Sequence, residues 1–289
     1  MLPDMTRKPR SAIVGAGNLG SALAVSLRRA GFTLEAVIAR PTGNSIQKAR
    51  ALAKQVGARA LTDPSDLNAE LVWLCVPDSE IGRAARMLAQ KFRWKGTVAL
   101  HSSGALTSAE LESLRERGAA VASVHPLMTF VPGSQPALGG VPFAIEGDRR
   151  AVMIARRIVR ELGGQPFAIR KKDKAAYHAW ATFASPLLTA LLATTERVAA
   201  AAGVKHKAAI RRMIPILLQT LANYAQHGAA KSFSGPIIRG DVDTVKRHLQ
   251  VLEGMPAVRD VYASLARASL QFLPVKHKNS LKRLLNSAE

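Results

Sequence analysis

The chain has 289 residues, 48% of them hydrophobic, which is enough for two domains with their own cores, while no apolar run reaches the ~18 residues of a membrane span. Its formal net charge is +21, a field that attracts anions, but the basic residues are scattered and the densest group is only Lys276, His277, Lys278, Lys282 and Arg283. With aromatics at 5% there is no stacking platform for bases, so nucleic acid is not expected as a partner; nor is a membrane, a secretory signal in the polar stretch Met1–Arg10, or a bound metal.

The first predicted strand, Ser11–Val14, runs into Gly15-Ala16-Gly17-Asn18-Leu19-Gly20, which opens a helix over Leu19–Ala30. In such a turn Gly15 makes the tight bend, Gly17 lets the backbone approach a pyrophosphate, and Gly20 allows close helix–strand packing. The helix N-terminus adds unpaired N–H groups and a positive dipole end. The second strand, Leu34–Ala39, ends in Arg40-Pro41-Thr42-Gly43-Asn44-Ser45. NAD-binding chains place an acid there to hold the ribose 2′-hydroxyl, whereas Glu35 lies several residues too early. Arg40 can pair with a 2′-phosphate, with Thr42 and Ser45 as hydrogen-bond donors, which points to NADP.

A helix over Ser45–Val56 and a strand at Ala58–Leu61 follow, then a strand at Leu71–Val76. That strand holds the single cysteine, Cys75, which excludes an internal disulfide and reads as a buried thiol in a reducing, cytoplasmic setting. Its end, Val76-Pro77-Asp78, should border the cofactor, because open α/β sheets bind ligands beyond the carboxyl ends of their strands. Asp78 also stands where it can cap the helix predicted for Asp78–Lys91. The strands Val98–His101 and Ala120–Val124 end in His101-Ser102-Ser103-Gly104-Ala105 and in His125-Pro126-Leu127. Hydroxyls and imidazoles there suit holding a carbonyl or imine and exchanging its proton, though Ser102 and Ser103 could instead cap the next helix and His125 could be a core residue. Helices at Thr107–Arg117 and Arg149–Leu162 and strands near Val141–Ile145 and Pro166–Ile169 complete an α/β domain over residues 1–170, a doubly wound, mostly parallel Rossmann sheet. Gly31, Gly57, Gly118 and Gly163 stand just past four of these helices, where a left-handed residue is wanted.

Residues 171–289 read as an all-α domain, with helices at Asp173–Ala202 (kinked by Pro186), Lys207–His227, Val242–Leu252 and Ala257–Phe272. On the first, Lys174, His178 and Ser185 fall within ~40° of one face, a polar stripe suited to a cleft. Tyr177 and Trp180 flank it as packing residues.

Together with Tyr177-His178-Ala179 and Ser234-Gly235-Pro236-Ile237-Ile238-Arg239-Gly240-Asp241, the motifs above occur in an order that resembles the bacterial Rossmann-like proteins with a helical C-terminal domain of unassigned function. These are similar to pyrroline-5-carboxylate reductases, the β-hydroxyacid and 6-phosphogluconate dehydrogenases, and deazaflavin-dependent NADP reductases. The resemblance implies an NADP-dependent oxidoreductase acting on a small, anionic carbonyl, imine or hydroxy compound, and a homodimer built through the helical domain. It also implies a catalytic lysine near Lys174. His101, Ser102, Ser103, His125, Lys174 and His178 are the expected lining of the reaction site, with His125 or His178 as proton donor. The alternative is a regulatory protein that binds NADP(H) without chemistry.

Overall fold

The computed structural model describes residues 7–41, 43–134 and 136–286. The chain divides into two compact units, Met1–Phe183 and Ala184–Glu289. The division falls one helix later than residue 170, because the helix that follows the sheet is tied to it by Lys174 and Tyr177.

The first unit carries eight strands: β1 (Ser11–Val14), β2 (Leu34–Ile38), β3 (Arg59–Leu61), β4 (Leu71–Leu74), β5 (Val98–His101), β6 (Ala120–Pro126), β7 (Pro142–Gly147) and β8 (Gln165–Ala168). They form one sheet in the order β3-β2-β1-β4-β5-β6-β7-β8. Every pairing is parallel except β6 with β7, where Val124 faces Ile145. The parallel crossovers carry helices except that from β3 to β4, a loop over residues 62–70, and β6 and β7 are joined by a loop that lets the chain return directly.

The central strands are apolar throughout because both faces are covered. On β1, Ile13 points into one core and Ala12 and Val14 into the other; on β4, Trp73 opposes Val72 and Leu74 in the same way. The first face is covered by α1 (Asn18–Arg29), α2 (Asn44–Val56) and α5 (Arg149–Glu161), the second by α3 (Asp78–Lys91) and the short α4 (Glu112–Arg115). Gly57 ends α2 in the left-handed conformation, and the other three predicted helix-ending glycines also have positive φ.

Past β8, α6 (Lys174–Ala184) closes the first unit. The predicted long helix is broken outright rather than kinked: Ser185 leaves helical geometry and Pro186 starts α7 (Pro186–Ala201). The helical unit continues with α8 (His206–Ser232), α9 (Pro236–Arg239), α10 (Val242–Val251), α11 (Pro256–Phe272) and α12 (Lys278–Asn286). Its core is Val245, Leu249, Ala263, Ala266, Val275, Leu281 and Leu285, from α10 to α12. Among the described residues no single helix is long and apolar enough to cross a membrane.

Candidate functional site

The glycine turn does what its three glycines require. Gly15 has φ +101°, and a Cβ there would lie 2.5 Å from the Cys75 carbonyl oxygen. A Cβ on Gly20 would lie 2.1 Å from the Gly15 oxygen, whereas one on Gly17 would meet nothing within 4 Å. So two glycines are demanded by the protein's own packing, and the third faces open space. That space is a cavity of about 550 Å³, bordered by Gly15, Gly17, Arg40, Ser45, Val76 and Pro77, within the usual size of a ligand pocket. The opening at Gly17, against the N-terminus of α1, is the cradle that a dinucleotide pyrophosphate needs. Asn18 reaches the other way and donates to the Phe130 carbonyl at 3.2 Å, tying the turn to the loop after β6. Leu19 packs against the core below.

At the far end of the cavity stand Arg40, Lys48 and Arg83, with Glu80 among them. Glu80 lies 3.8 Å from Arg40 and also pairs with Arg83. Three cations against one acid leave a net charge of about +2, which matches a phosphate monoester dianion. Arg83 escaped the sequence reading because it sits within α3, which only the sheet order brings to the tip of β2, whereas Lys48 lies one turn into α2, the helix that follows β2 directly. Glu35 is bonded to Arg59 at 2.6 Å and takes no part in the cavity. Thr42 lies outside the described residues.

Asp78 is not in the cavity wall. As the first residue of α3, it accepts a hydrogen bond from Ser103 Oγ at 2.7 Å, and thereby joins the cofactor side to a second, polar cluster. Ser103 Oγ accepts in turn from the N–H groups of Ala105 and Leu106, so this residue shapes the loop after β5. Ser102 accepts from Trp73 Nε1 at 2.8 Å beneath the loop. Burial pushes the Cys75 thiol up to about 12, so it stays protonated, with the Ser102 hydroxyl as its polar neighbour.

His101 is fully enclosed. The Ser103 N–H donates to its Nδ1 at 3.1 Å, so its Nε2 carries the proton and donates to the Thr107 carbonyl at 3.0 Å. With both nitrogens engaged by main chain, and burial holding its pKa down at about 4, His101 supports the loop and cannot reach a ligand. Lys174 is 1% exposed and donates to the Ser103 carbonyl at 2.9 Å and to Ser123 Oγ at 2.5 Å. Burial lowers its pKa to about 8, opposed by the nearby carboxylates of Glu146 and Asp78. Glu146 is itself buried and accepts from the N–H and hydroxyl of Ser108. Lys174 thus sits under the loop rather than on its surface.

The groups that do reach the surface are His125 and His178, both half-buried, with ring centroids 6.1 Å apart. A Cβ on Gly104 would lie 2.8 Å from His125 Nε2 and 2.5 Å from His178 Cδ2. The absence of a side chain at Gly104 is what lets both imidazoles close over the loop. Tyr177 is more than packing: its hydroxyl lies 2.7 Å from His125 Nδ1. Burial, and then the Lys174 charge, lower His125 to about 4, while burial raises Tyr177 to about 12. Trp180, by contrast with its predicted packing role, is 57% exposed. The stripe of Lys174, His178 and Ser185 does not survive as one face, since Ser185 stands at the break after α6. Gly235–Asp241 is a helix connection in which Asp241 caps α10 by accepting from Thr244.

No curated protein matches the sequence. Among solved structures, a Bacteroides fragilis protein described as a candidate NADP oxidoreductase is 22% identical, with a TM-score of 0.76 over 90% of this chain and 97% of its own. A Thermotoga maritima protein is 26% identical, with a TM-score of 0.65 over 89% and 97%. A pyrroline-5-carboxylate reductase from Coxiella burnetii is 15% identical, with a TM-score of 0.58 over 91% and 96%. These likenesses concern the fold. Residues 4–126 match the family described as a Rossmann-like domain, and residues 141–269 match a domain of unknown function, DUF2520. The chain therefore joins a Rossmann-like domain to a largely helical DUF2520 domain.

Proposed function

We propose that the protein is an NADP-dependent oxidoreductase that moves a hydride between the nicotinamide and a small carbonyl, imine or hydroxy compound. The observation that carries the reading is the cavity. Its glycine turn leaves room for a pyrophosphate, and its far end gathers Arg40, Lys48 and Arg83 where the 2′-phosphate of NADP would stand. Gly15, Gly17 and Gly20, with Val76 and Pro77, would hold the dinucleotide; when bound, it supplies or accepts the hydride. The His125–His178 pair, which closes over the loop that Ser103 bonds to Asp78 at the start of α3, is the chain's own equipment for holding and protonating a substrate. The names of the fold's solved relatives, among them an imine reductase from Myxococcus stipitatus in complex with NADP+, support the same chemistry. The paired imidazoles favour an enzyme over a regulatory dinucleotide binder, which would need no such pair. The net positive charge favours an anionic substrate. We also propose a homodimer, built through α7 and α8, on grounds given below.

Calorimetry with NADPH and NADH tests the cofactor. NADPH should bind at least about tenfold more tightly, and Arg40→Ala should remove most of that preference, the size of a lost charge-assisted hydrogen bond. Equal affinity for the two, or heat from neither, would overturn the reading.

A further inference from the structure

His125 is held on both sides in a way that selects one protonation state. On its Nδ1 side stands the Tyr177 hydroxyl, 2.7 Å away, and among the described hydrogen bonds that phenol has no other partner. On its Nε2 side stands Gly104, where an added Cβ would lie 2.8 Å from Nε2 and 2.5 Å from His178 Cδ2. The charged and titratable groups that bear on it are Lys174 on α6, which is buried and cationic, His178 on α6, Asp78 on α3 and His101 on β5. The Tyr177 hydroxyl, a donor as well as an acceptor, can donate to Nδ1, and in that arrangement Nε2 carries the ring's own hydrogen.

We propose that His125 acts as a neutral imidazole presenting its Nε2–H to the oxygen of a carbonyl substrate, with Tyr177 as the positioning residue that fixes this tautomer, so that the site reduces ketones or aldehydes in preference to imines. This rests on the oxidoreductase reading above and narrows its substrate class. The reduced dinucleotide, when bound, supplies two electrons and a hydrogen as hydride. As the carbonyl carbon gains that hydrogen, the C=O π pair moves to oxygen, and oxygen takes the proton from His125 Nε2. Nδ1 takes the proton of Tyr177, which spares the ring an imidazolate. The product is the alcohol; Nδ1 then returns its proton to the phenolate as Nε2 takes one from water, hydroxide leaving to the solvent, and the chain regains its starting tautomer. An imine places a different demand on the site. It accepts hydride readily as the iminium, a cation that forms in water near neutral pH, and that calls for an anionic or accepting neighbour rather than a neutral N–H donor beside the buried Lys174. The depressed basicity of His125, caused by burial and by Lys174, works against a standing imidazolium there.

The test uses the full chain, with imidazole-¹⁵N histidine for NMR and with 2-methylcyclopentanone and 2-methyl-1-pyrroline as a matched ketone and imine. His125, assigned by its loss in His125→Ala, should show the Nε2–H tautomer at pH 7, and Tyr177→Phe should turn this into a tautomer mixture without changing NADPH affinity. The ketone should be consumed at least about tenfold faster than the imine, at a rate flat from pH 5.5 to 7.5, and Tyr177→Phe should lower kcat about tenfold with little change in KM. An Nδ1–H tautomer or an imidazolium at pH 7 would overturn the proposal, as would faster turnover of the imine or a rate that falls as pH rises through 6.5. Should neither probe turn over, the NMR result decides the role of His125. Failure of NADPH to bind would instead remove the oxidoreductase reading while leaving the tautomer result standing.

Discussion

Histidine is the residue on which most of the chemistry here turns, and two histidines two dozen positions apart are used for opposite purposes. His101 spends both nitrogens on main chain and is enclosed, whereas the half-buried His125 spends one on Tyr177 and has the other beside Gly104. Both have pKa values lowered to about 4, with burial the main cause. The consequence for stability follows from proton counting. Between pH 6.5 and 4 the unfolded chain binds protons at these rings that the folded chain refuses, so folding free energy is lost as pH falls through that window. Each fully shifted ring is worth up to about 3 kcal/mol, less for the more accessible His125. Urea unfolding of wild type and His101→Asn at pH 7.0, 6.0, 5.0 and 4.5 should show the variant less stable at neutral pH yet with a clearly shallower acid decline. Parallel declines would mean that His101 titrates normally and that its enclosure in the fold is wrong. Lys174 obeys the same logic from the other side: its lowered pKa makes the folded chain release a proton early, so its burial costs least at alkaline pH.

At the scale of elements, the clearest case is α5, where sequence and packing agree. Ala151, Ala155, Ile158 and Val159 face the sheet, and Arg149, Arg156 and Arg160 lie on the outer side of the same thirteen-residue helix. Ile158 is 1% exposed in the larger core, so Ile158→Ala should cost about 2–4 kcal/mol by urea unfolding, while Arg160→Ala should change stability by less than about 0.5 kcal/mol. Similar losses at both positions would contradict the assigned face. Such periodicity is why the strands, the crossover helices and the glycine turn were legible in the sequence. What was not legible depended on a partner far along the chain. The reversal of β7 is set by a loop without a helix, which the strand pattern alone does not show. Tyr177 read as packing because nothing in its neighbourhood announces His125, fifty-two residues earlier. Gly104 drew no role from the sequence because the two rings that crowd it come from β6 and α6. His101 and Lys174, read as lining the reaction site, turn out to lie beneath it, since exposure is decided by packing and not by residue type. The α12 helix escaped because its basic residues masked the stripe of Leu281 and Leu285 that anchors it.

At the scale of the molecule, the helical unit presents a problem that a single copy does not solve. The helix α8, which kinks at Gly228 (φ +72°), buries only Ala209, and α7 buries nothing. Ile214, Ile216, Leu218, Leu221 and Tyr224 on α8 are 43–68% exposed, and Leu187 on α7 is 45% exposed. Helical spacing puts Ile214, Leu218, Leu221 and Tyr224 along one side of α8, with Ile216 on the other. At roughly 100 Å² each, those four present about 400 Å² of apolar surface, half of the ~800 Å² that each partner contributes to a standard interface. Isolated apolar side chains at a surface are ordinary, but a row of this size on one helix marks an interaction site. A second copy is the occupant we favour, because the patch lies on a long helix that can pair with itself about a two-fold axis, so that every apolar contact is made twice. The bent pair Lys171–Ala201 and His206–Arg239 has the length and composition for a broken membrane span, which is the competing occupant. Sedimentation equilibrium at ~10 μM should give twice the 30.9 kDa chain mass, and Leu218→Lys with Leu221→Lys should give monomer with NADPH affinity retained. A wild-type monomer that floats with phosphatidylcholine vesicles would transfer the patch to a bilayer, and a monomer that ignores vesicles would leave dimer pairing through α8 refuted.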